Sequence, residues 1–418
     1  MVEKLKPKSE FNQNVLTLMT GTTLAQAIPI AISPILTRIY TPEDFGVFAL
    51  FLSITSIASV AATGRYELAI MLPKKDKHAI NIVVLSTIIT LLISFTSLII
   101  IFIFNSQITN LLGNSKISSW LYFIPITVLL TGFYQSLNYW NNRKKRYKRL
   151  AISRIIQSGA TATPNLTMGF SGLGGSGLIL SRIIGQGFAT YILGKLTLKE
   201  DKALFKEIKK LKIFALAKRY IQFPKFDILA SILNASSHQA THILFNAIFN
   251  STIAGYFYLT QRIIGLPITF IASAITDVFK EEASRDFNKL GNAKTIYKST
   301  FTKLFILSLV PSILLYIYAI DLFIIVFGED WKVAGEYTQI LTPMLFLRFI
   351  SSPLSFMLYI GEKQKLNLFG NFLFLLLTIL SFYLADSAIE TVEFLSYAYS
   401  FIYIIYLYIS ANIAKVFS

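Results

Sequence analysis

The sequence predicts an all-α integral membrane protein with about twelve transmembrane helices in two six-helix lobes, related by a parallel pseudo-two-fold repeat. Three observations carry this. Apolar runs long enough to cross a bilayer recur along the whole chain. The turns between them alternate between rich and poor in Lys and Arg. A short motif that follows the first run returns after the seventh.

A helix needs about 20 residues to cross about 30 Å of hydrocarbon. On that measure the spans fall at 14–37, 46–72, 79–104, 117–139, 151–170, 177–197, 227–248, 254–279, 299–320, 337–360, 367–385 and 392–413. Lys74, Lys75 and Lys77 fill the second-to-third turn, and Arg143, Lys144, Lys145, Arg146, Lys148 and Arg149 the fourth-to-fifth. Of the 39 Lys and Arg, 31 fall on the face that carries these turns. Three (Arg38, Lys116, Lys332) fall on the other, and five (Arg65, Arg154, Arg182, Arg262, Arg348) lie inside spans or at their ends. Basic loops stay cytoplasmic, so the pattern places both termini inside, in a multi-pass protein of the inner (cytoplasmic) membrane.

Composition excludes other classes. Hydrophobic residues make up 54% of the chain and the mean hydropathy is +0.58, too apolar for an ordinary soluble protein. The net charge of +17 would suit nucleic acid. Here it is confined to short turns beside apolar spans, which reads as a basic face against anionic membrane lipids, with no nucleic-acid partner. The absence of Cys excludes disulfides and thiolate metal sites. There is no Walker Gly-Lys-Ser/Thr loop, no His-Glu-x-x-His and no nucleophile elbow, and no soluble stretch long enough for a nucleotide domain. The reading is therefore a transporter, not an enzyme, with no cofactor beyond H+ or Na+ coupling. The polar start, with Lys4, Lys6 and Lys8, leads into the first span without a small-residue cleavage site, which predicts an uncleaved N-terminus.

The organisation follows as an N-terminal six-helix lobe (1–198), a cytoplasmic amphipathic linker (199–226) and a C-terminal six-helix lobe (227–418). In the linker, Leu204, Ile208 and Leu211 recur at helical spacing among Lys206, Lys209, Lys210 and Lys212, which predicts a helix on the inner leaflet. The repeat shows in Ile39-Tyr40-Thr41-Pro42-Glu43-Asp44-Phe45-Gly46-Val47-Phe48 and in Ile248-Phe249-Asn250-Ser251-Thr252-Ile253-Ala254-Gly255-Tyr256-Phe257. Each has a polar turn, then Gly, then aromatics. Pro125 precedes the turn at 141–145 by about the distance that Pro343 precedes 361–365. Transporters built from such parallel repeats hold substrate between the halves and rock one against the other.

Leu36-Thr37-Arg38-Ile39-Tyr40-Thr41-Pro42-Glu43-Asp44-Phe45-Gly46 resembles the first extracytoplasmic turn of the bacterial polysaccharide repeat-unit (O-antigen or capsule) flippases, in the multidrug/oligosaccharidyl-lipid/polysaccharide exporter superfamily. Gly64-Arg65-Tyr66-Glu67-Leu68-Ala69-Ile70 is similar to the end of that family's second span. Phe223-Pro224-Lys225, Gln261-Arg262, Leu266-Pro267, Asp277-Val278-Phe279 and Phe327-Gly328-Glu329-Asp330-Trp331 continue the likeness. The pair His238 and His242 departs from it. The resemblance implies two lobes around a central cavity. It also implies export of an undecaprenyl-pyrophosphate-linked oligosaccharide to the outer leaflet, in association with polysaccharide assembly proteins. Alternatives are an ion-coupled drug or cation antiporter of the same superfamily and a membrane polysaccharide polymerase or ligase; the short outer turns speak against the last.

Charges inside a bilayer are costly, so intramembrane ionisable groups are candidates by default. A pyrophosphate suits guanidinium groups, which stay charged and grip two oxygens at once. The substrate-binding candidates are Arg262, Arg348, Arg182 and Arg38, with Asn234, His238 and His242 as a polar stripe at i, i+4, i+8. For each Arg the structural alternative is helix pairing or snorkelling. Arg154 reads as an interfacial anchor. The two His lack an evident third metal ligand. Arg65 and Glu67 stand two apart near the inner end of the second span, a spacing at which helical residues do not face each other. Asp277 is the expected partner of Arg65 in an inner gate that breaks and re-forms. Thr17, Gly21 and Gln26 of the first span are an expected polar wall of the cavity.

Overall fold

The computed structural model describes residues 10–417, and within them all side chains except those of 10–16, 267, 269, 270 and 368. The basic residues Lys4, Lys6 and Lys8 lie outside that range. Among the described residues every regular element is a helix. The chain packs as two compact units, one ending at Gln239 and the other beginning at Ala240.

The first unit holds α1 (Glu10–Ala31), α2 (Ser33–Ile39), α3 (Pro42–Val60), α4 (Tyr66–Ala69), α5 (Asp76–Leu111), α6 (Ser118–Leu121), α7 (Ile124–Arg143), α8 (Tyr147–Phe170), α9 (Gly175–Glu200), α10 (Lys202–Phe205), α11 (Lys210–Arg219) and the start of α12 (Ile228–Leu244). The second holds the rest of α12, then α13 (Ser251–Pro267), α14 (Ser273–Leu290), α15 (Lys294–Phe327), α16 (Lys332–Leu354), α17 (Met357–Ile360), α18 (Gln364–Leu384) and α19 (Ala388–Ile413).

Each of the twelve expected spans falls on a helical segment. Among the described residues eight helices are long and apolar enough to cross a membrane by themselves, or nine when the bent pair α6–α7 counts as one span. The segments that fall short are α8, α12 and α13–α14, where Arg, Asn, Gln, Thr and Ser dilute the apolar run. These are the helices that carry much of the polar chemistry. Burial sorts the others. Over their most apolar stretches α3 and α16 are 56% buried, while α5 and α15 are 17% and 11% buried and turn Phe95, Phe102, Ile306 and Tyr316 outward. A helix apolar on an outward face needs lipid to cover it.

The repeat is written into local geometry. Thr41 caps α3: its hydroxyl accepts from the Asp44 N–H at 3.2 Å, and the Asp44 carboxylate accepts from the Thr41 N–H at 3.0 Å. Asn250 caps α13 at the matching point, its side-chain oxygen accepting from the Ile253 N–H at 3.0 Å. At the other end of the halves, α7 and α17 stop in the same way. Lys145 and Glu362 both take left-handed φ of 55°, and the next N–H closes back on Asn141 O and Leu358 O at 2.9 and 2.7 Å.

Asp44 does more than cap its own helix. Its second oxygen accepts from the Gly175 N–H at 2.6 Å, so one carboxylate ties the start of α3 to the start of α9. Gly174 (φ 52°) holds a left-handed conformation that favours Gly, and a Cβ on it would press on the Asp44 carboxylate. Elsewhere small residues let helices close up. A Cβ on Gly21 would collide with Ala151 of α8, and one on Gly185 with Thr161. Gly21 thus serves the close α1–α8 contact.

Two expectations change. The second span is not one helix over 46–72: α3 ends at Val60, the chain turns through Gly64 (φ 64°) and Arg65 (φ 61°), and α4 follows. The linker stripe Leu204, Ile208, Leu211 is not one helix face either, because the chain breaks between α10 and α11. Instead Ile213, Leu216, Ala217 and Tyr220 of α11 pack on the N-terminal unit beside Tyr66, Ile80 and Trp140. Leu211 and Phe214 stay exposed. The Tyr66 hydroxyl donates to Ala217 O at 2.9 Å, and Asn81 exchanges hydrogen bonds with the 207–209 backbone.

Candidate functional site

In the N-terminal unit the turn after α3 gathers a charged cluster. Two consecutive left-handed residues, Gly64 and Arg65, reverse the chain. For Arg65 this conformation costs about 1 kcal/mol or more, since its Cβ crowds the following carbonyl. The turn aims the guanidinium at two carboxylates: Asp227 Oδ2 at 2.5 Å from Nε, and Glu67 Oε1 at 3.2 Å from Nη1. Glu67 is 2% exposed, and its other oxygen accepts from the Thr63 hydroxyl. Asp227 is 40% exposed and closes the π-helical turn 223–227 that opens α12. So Arg65 and Glu67 do meet, because they leave the helix on which they were expected to point apart. The expected partner Asp277 sits exposed on α14, 3.5 Å from Lys280, and Asp227 takes its place beside Arg65.

In the second unit, α16 brings Arg348 near the middle of the span 329–360. The guanidinium is half-buried and acts electrostatically on the phenols of Tyr399 and Tyr403 of α19. Among the described residues it makes no ion pair. The Tyr399 hydroxyl lies 2.6 Å from the Thr378 hydroxyl of α18, and Thr241 of α12 bonds to it as well. Beside Thr241, the His242 ring packs edge-on against Phe257 and Tyr258 at 5.5 and 5.9 Å. Its Nδ1 is buried and has no hydrogen-bond partner among the described residues. One fixed positive charge among hydroxyls and an open imidazole nitrogen suit a phosphorylated, hydroxyl-rich ligand.

The remaining candidates are scattered. Arg262 is half-buried on α13, and Arg182 is exposed on α9. Arg38 is exposed on α2, donating to Pro34 O at 3.2 Å. Asn234 and His238 are exposed on α12, and Gln26 on α1. Arg154, expected as an interfacial anchor, donates to the Thr22 hydroxyl of α1. Among the described residues no three His, Asp or Glu side chains gather as a metal site. Asp227, Tyr399 and Tyr403 were missed from sequence. Tyr399, Tyr403 and Tyr406 at i, i+4, i+7 were the available signal for the last two.

The basic turn after α7 is clamped by carboxylates. Arg146 grips Asp201 with both terminal nitrogens at 2.5 and 2.9 Å, and the Trp140 indole N–H donates to the same group at 2.8 Å. Arg143 and Lys144 share Asp76 at 2.9 and 2.7 Å, and Arg149 pairs with Glu200. Burial pushes the Asp201 carboxyl up, but the hydrogen bonds from Arg146 and Trp140 and the guanidinium charge outweigh it and hold its pKa below the ordinary range.

This helical scaffold, with charges held inside apolar spans, is that of a polytopic membrane protein, and solved structures share it. It superposes on the lipid II flippase MurJ in an inward closed conformation with a TM-score of 0.73, at 13% identity over 96% of this chain and 87% of that one. An inward-facing multidrug resistance MATE transporter of the MOP superfamily gives 0.72, at 16% identity over 95% of both chains. A MOP superfamily transporter from Pyrococcus furiosus gives 0.59, at 13% identity over 97% and 96%. At such identities the likeness establishes the fold. Residues 35–336 match the family described as polysaccharide biosynthesis protein, and the chain belongs to that family. No curated protein sequence matches it.

Proposed function

We propose that this protein is a flippase that carries an undecaprenyl-pyrophosphate-linked oligosaccharide repeat unit from the cytoplasmic to the outer leaflet of the inner membrane. Transport runs by alternating access through an Arg-lined cavity, with both termini cytoplasmic. The observation that carries the reading is Arg348: a guanidinium well inside an apolar span, with no carboxylate beside it among the described residues. An unbalanced positive charge at that depth is costly unless an anion visits it. A diphosphate supplies the anion. Arg262, Arg182, Arg38, Asn234, His238 and His242 are the further substrate-binding candidates in this scheme.

Arg65, Glu67 and Asp227 form the gate or coupling element in this scheme, in the role first expected of Arg65 with Asp277. Asp227 is the exposed partner and Glu67 the buried one, so the Arg65–Asp227 pair is the side open to a coupling ion. A strain lacking the gene tests the function. Lipid-linked saccharides trapped on the cytoplasmic side, with surface polysaccharide lost and then restored by the gene, support the flippase. Normal polysaccharide with changed resistance to cationic compounds sinks it in favour of the antiporter reading, which the MATE-like fold keeps open.

A further inference from the structure

Each unit carries an apolar groove at its Lys/Arg-rich end, apart from the charged constellations above. In the first unit a cavity of about 560 Å³ opens between α5, α7, α9 and α10, with Val83, Thr87, Leu137, Gly194 and Phe205 in its wall and Lys195 at its edge. In the second a cavity of about 460 Å³ opens between α15 and α19, with Phe301, Leu407, Tyr408 and Phe417 in its wall and Lys298 at its edge. The first lies on the third and sixth spans of the N-terminal half, the second on the third and sixth of the C-terminal half. The recurrence at matching positions of a repeat is one argument that the grooves are built features.

The chemistry of the walls is the second. Several of their polar atoms are already engaged: the Thr190 hydroxyl donates to Gln186 O, the Thr87 hydroxyl to Val83 O, and Thr197 accepts from Asn141. In the other groove the Tyr297 hydroxyl donates to Leu407 O at 3.0 Å. Walls this largely apolar suit a hydrocarbon chain better than a sugar. The volumes suit a ligand of ordinary size. The lysines are exposed; Lys195 leans over the Tyr191 ring at 5.8 Å from its centroid. Each groove thus pairs an apolar slot with one cation at its mouth.

We propose that the two grooves are binding sites for anionic phospholipid of the cytoplasmic leaflet, with an acyl chain in each slot and the headgroup phosphate on Lys195 or Lys298. The orientation is the one proposed above; the sites do not depend on what is transported. Bound lipid fills gaps between helices that side chains leave open and fastens the basic end of each unit.

The test uses the full chain in nanodiscs of phosphatidylcholine alone or mixed with phosphatidylglycerol, read by native mass spectrometry and by thermal unfolding. The expected result is two retained phosphatidylglycerol molecules and a raised Tm in the mixed bilayer. Lys195→Gln and Lys298→Gln should each remove one retained lipid, weakening retention about fivefold. Filling the slots with Val84→Trp or Thr302→Trp should remove retention of either lipid class. Should the filled variants fail to fold, the surface lysine variants decide alone. Equal retention of both lipids, unchanged by the lysine variants, would overturn the proposal. So would preferential retention of added polyprenyl phosphate, which would hand the grooves to the substrate's tail.

Discussion

Arg146, at the basic end of the N-terminal unit, is held by both oxygens of Asp201, whereas Arg348, deep in α16 of the second unit, faces phenols and meets no carboxylate among the described residues. The residue type is the same and the consequence is opposite. A guanidinium matched to a carboxylate is a clamp whose charge is spent on the fold. One left among weak dipoles keeps most of its field for a ligand. Arg65 stands between them, held by a buried and an exposed carboxylate together.

The comparison breaks most visibly if charge and function are separated. Arg348→Ala should lower transport by about 10- to 100-fold, the weight of a hydrogen bond to a charged group, while thermal unfolding in detergent stays near wild type. Unaltered export would remove Arg348 from the mechanism. Arg146→Met should do the reverse. It strands Asp201, which is 5% exposed, and should destabilise the N-terminal unit by about 3–5 kcal/mol, seen as a lowered Tm. The same pair sets an acid limit. The Asp201 carboxyl is held below its unfolded value, so its contribution is full above about pH 4 and is lost as pH falls through the lowered value. Asp201→Asn should flatten that acid limb; an unchanged profile would place the acid-labile group elsewhere.

A smaller effect is expected at the doubly used cap. Asp44→Ala removes the capping box of α3 and the bond to Gly175, and should cost about 2 kcal/mol, with Asp44→Asn recovering part of it. Smallest is Lys116→Gln. The Lys116–Glu43 pair is exposed on both sides, so its loss should leave Tm within error, and a clear drop would show that this surface pair is more than decoration.

How much of this could be read from the chain varies with range. Span positions came through because apolar runs and basic turns are local signals. The repeated polar turn, Gly and aromatics at 39–48 and 248–257 could be read, and the structure adds that Thr41 and Asn250 cap the helices that follow. The Arg65 cluster did not. A left-handed φ at a residue other than Gly leaves no mark in the sequence, and Asp227 lies 162 residues away. The linker misled for a related reason: a stripe at helical spacing was read across 206–209, where the chain is not helical. Arg348 was visible as a charge in an apolar run, but its phenolic surroundings come from a helix folded back on it.

Asp44 also has a bearing on how the chain is made. Its outer oxygen waits for a backbone N–H that is synthesised 131 residues later. Until α9 enters the membrane, a nascent chain displays a half-satisfied carboxylate beside the helix that began it. A product truncated before Gly175 leaves that oxygen without its backbone donor, so Asp44 ties the start of α3 to nothing beyond its own cap.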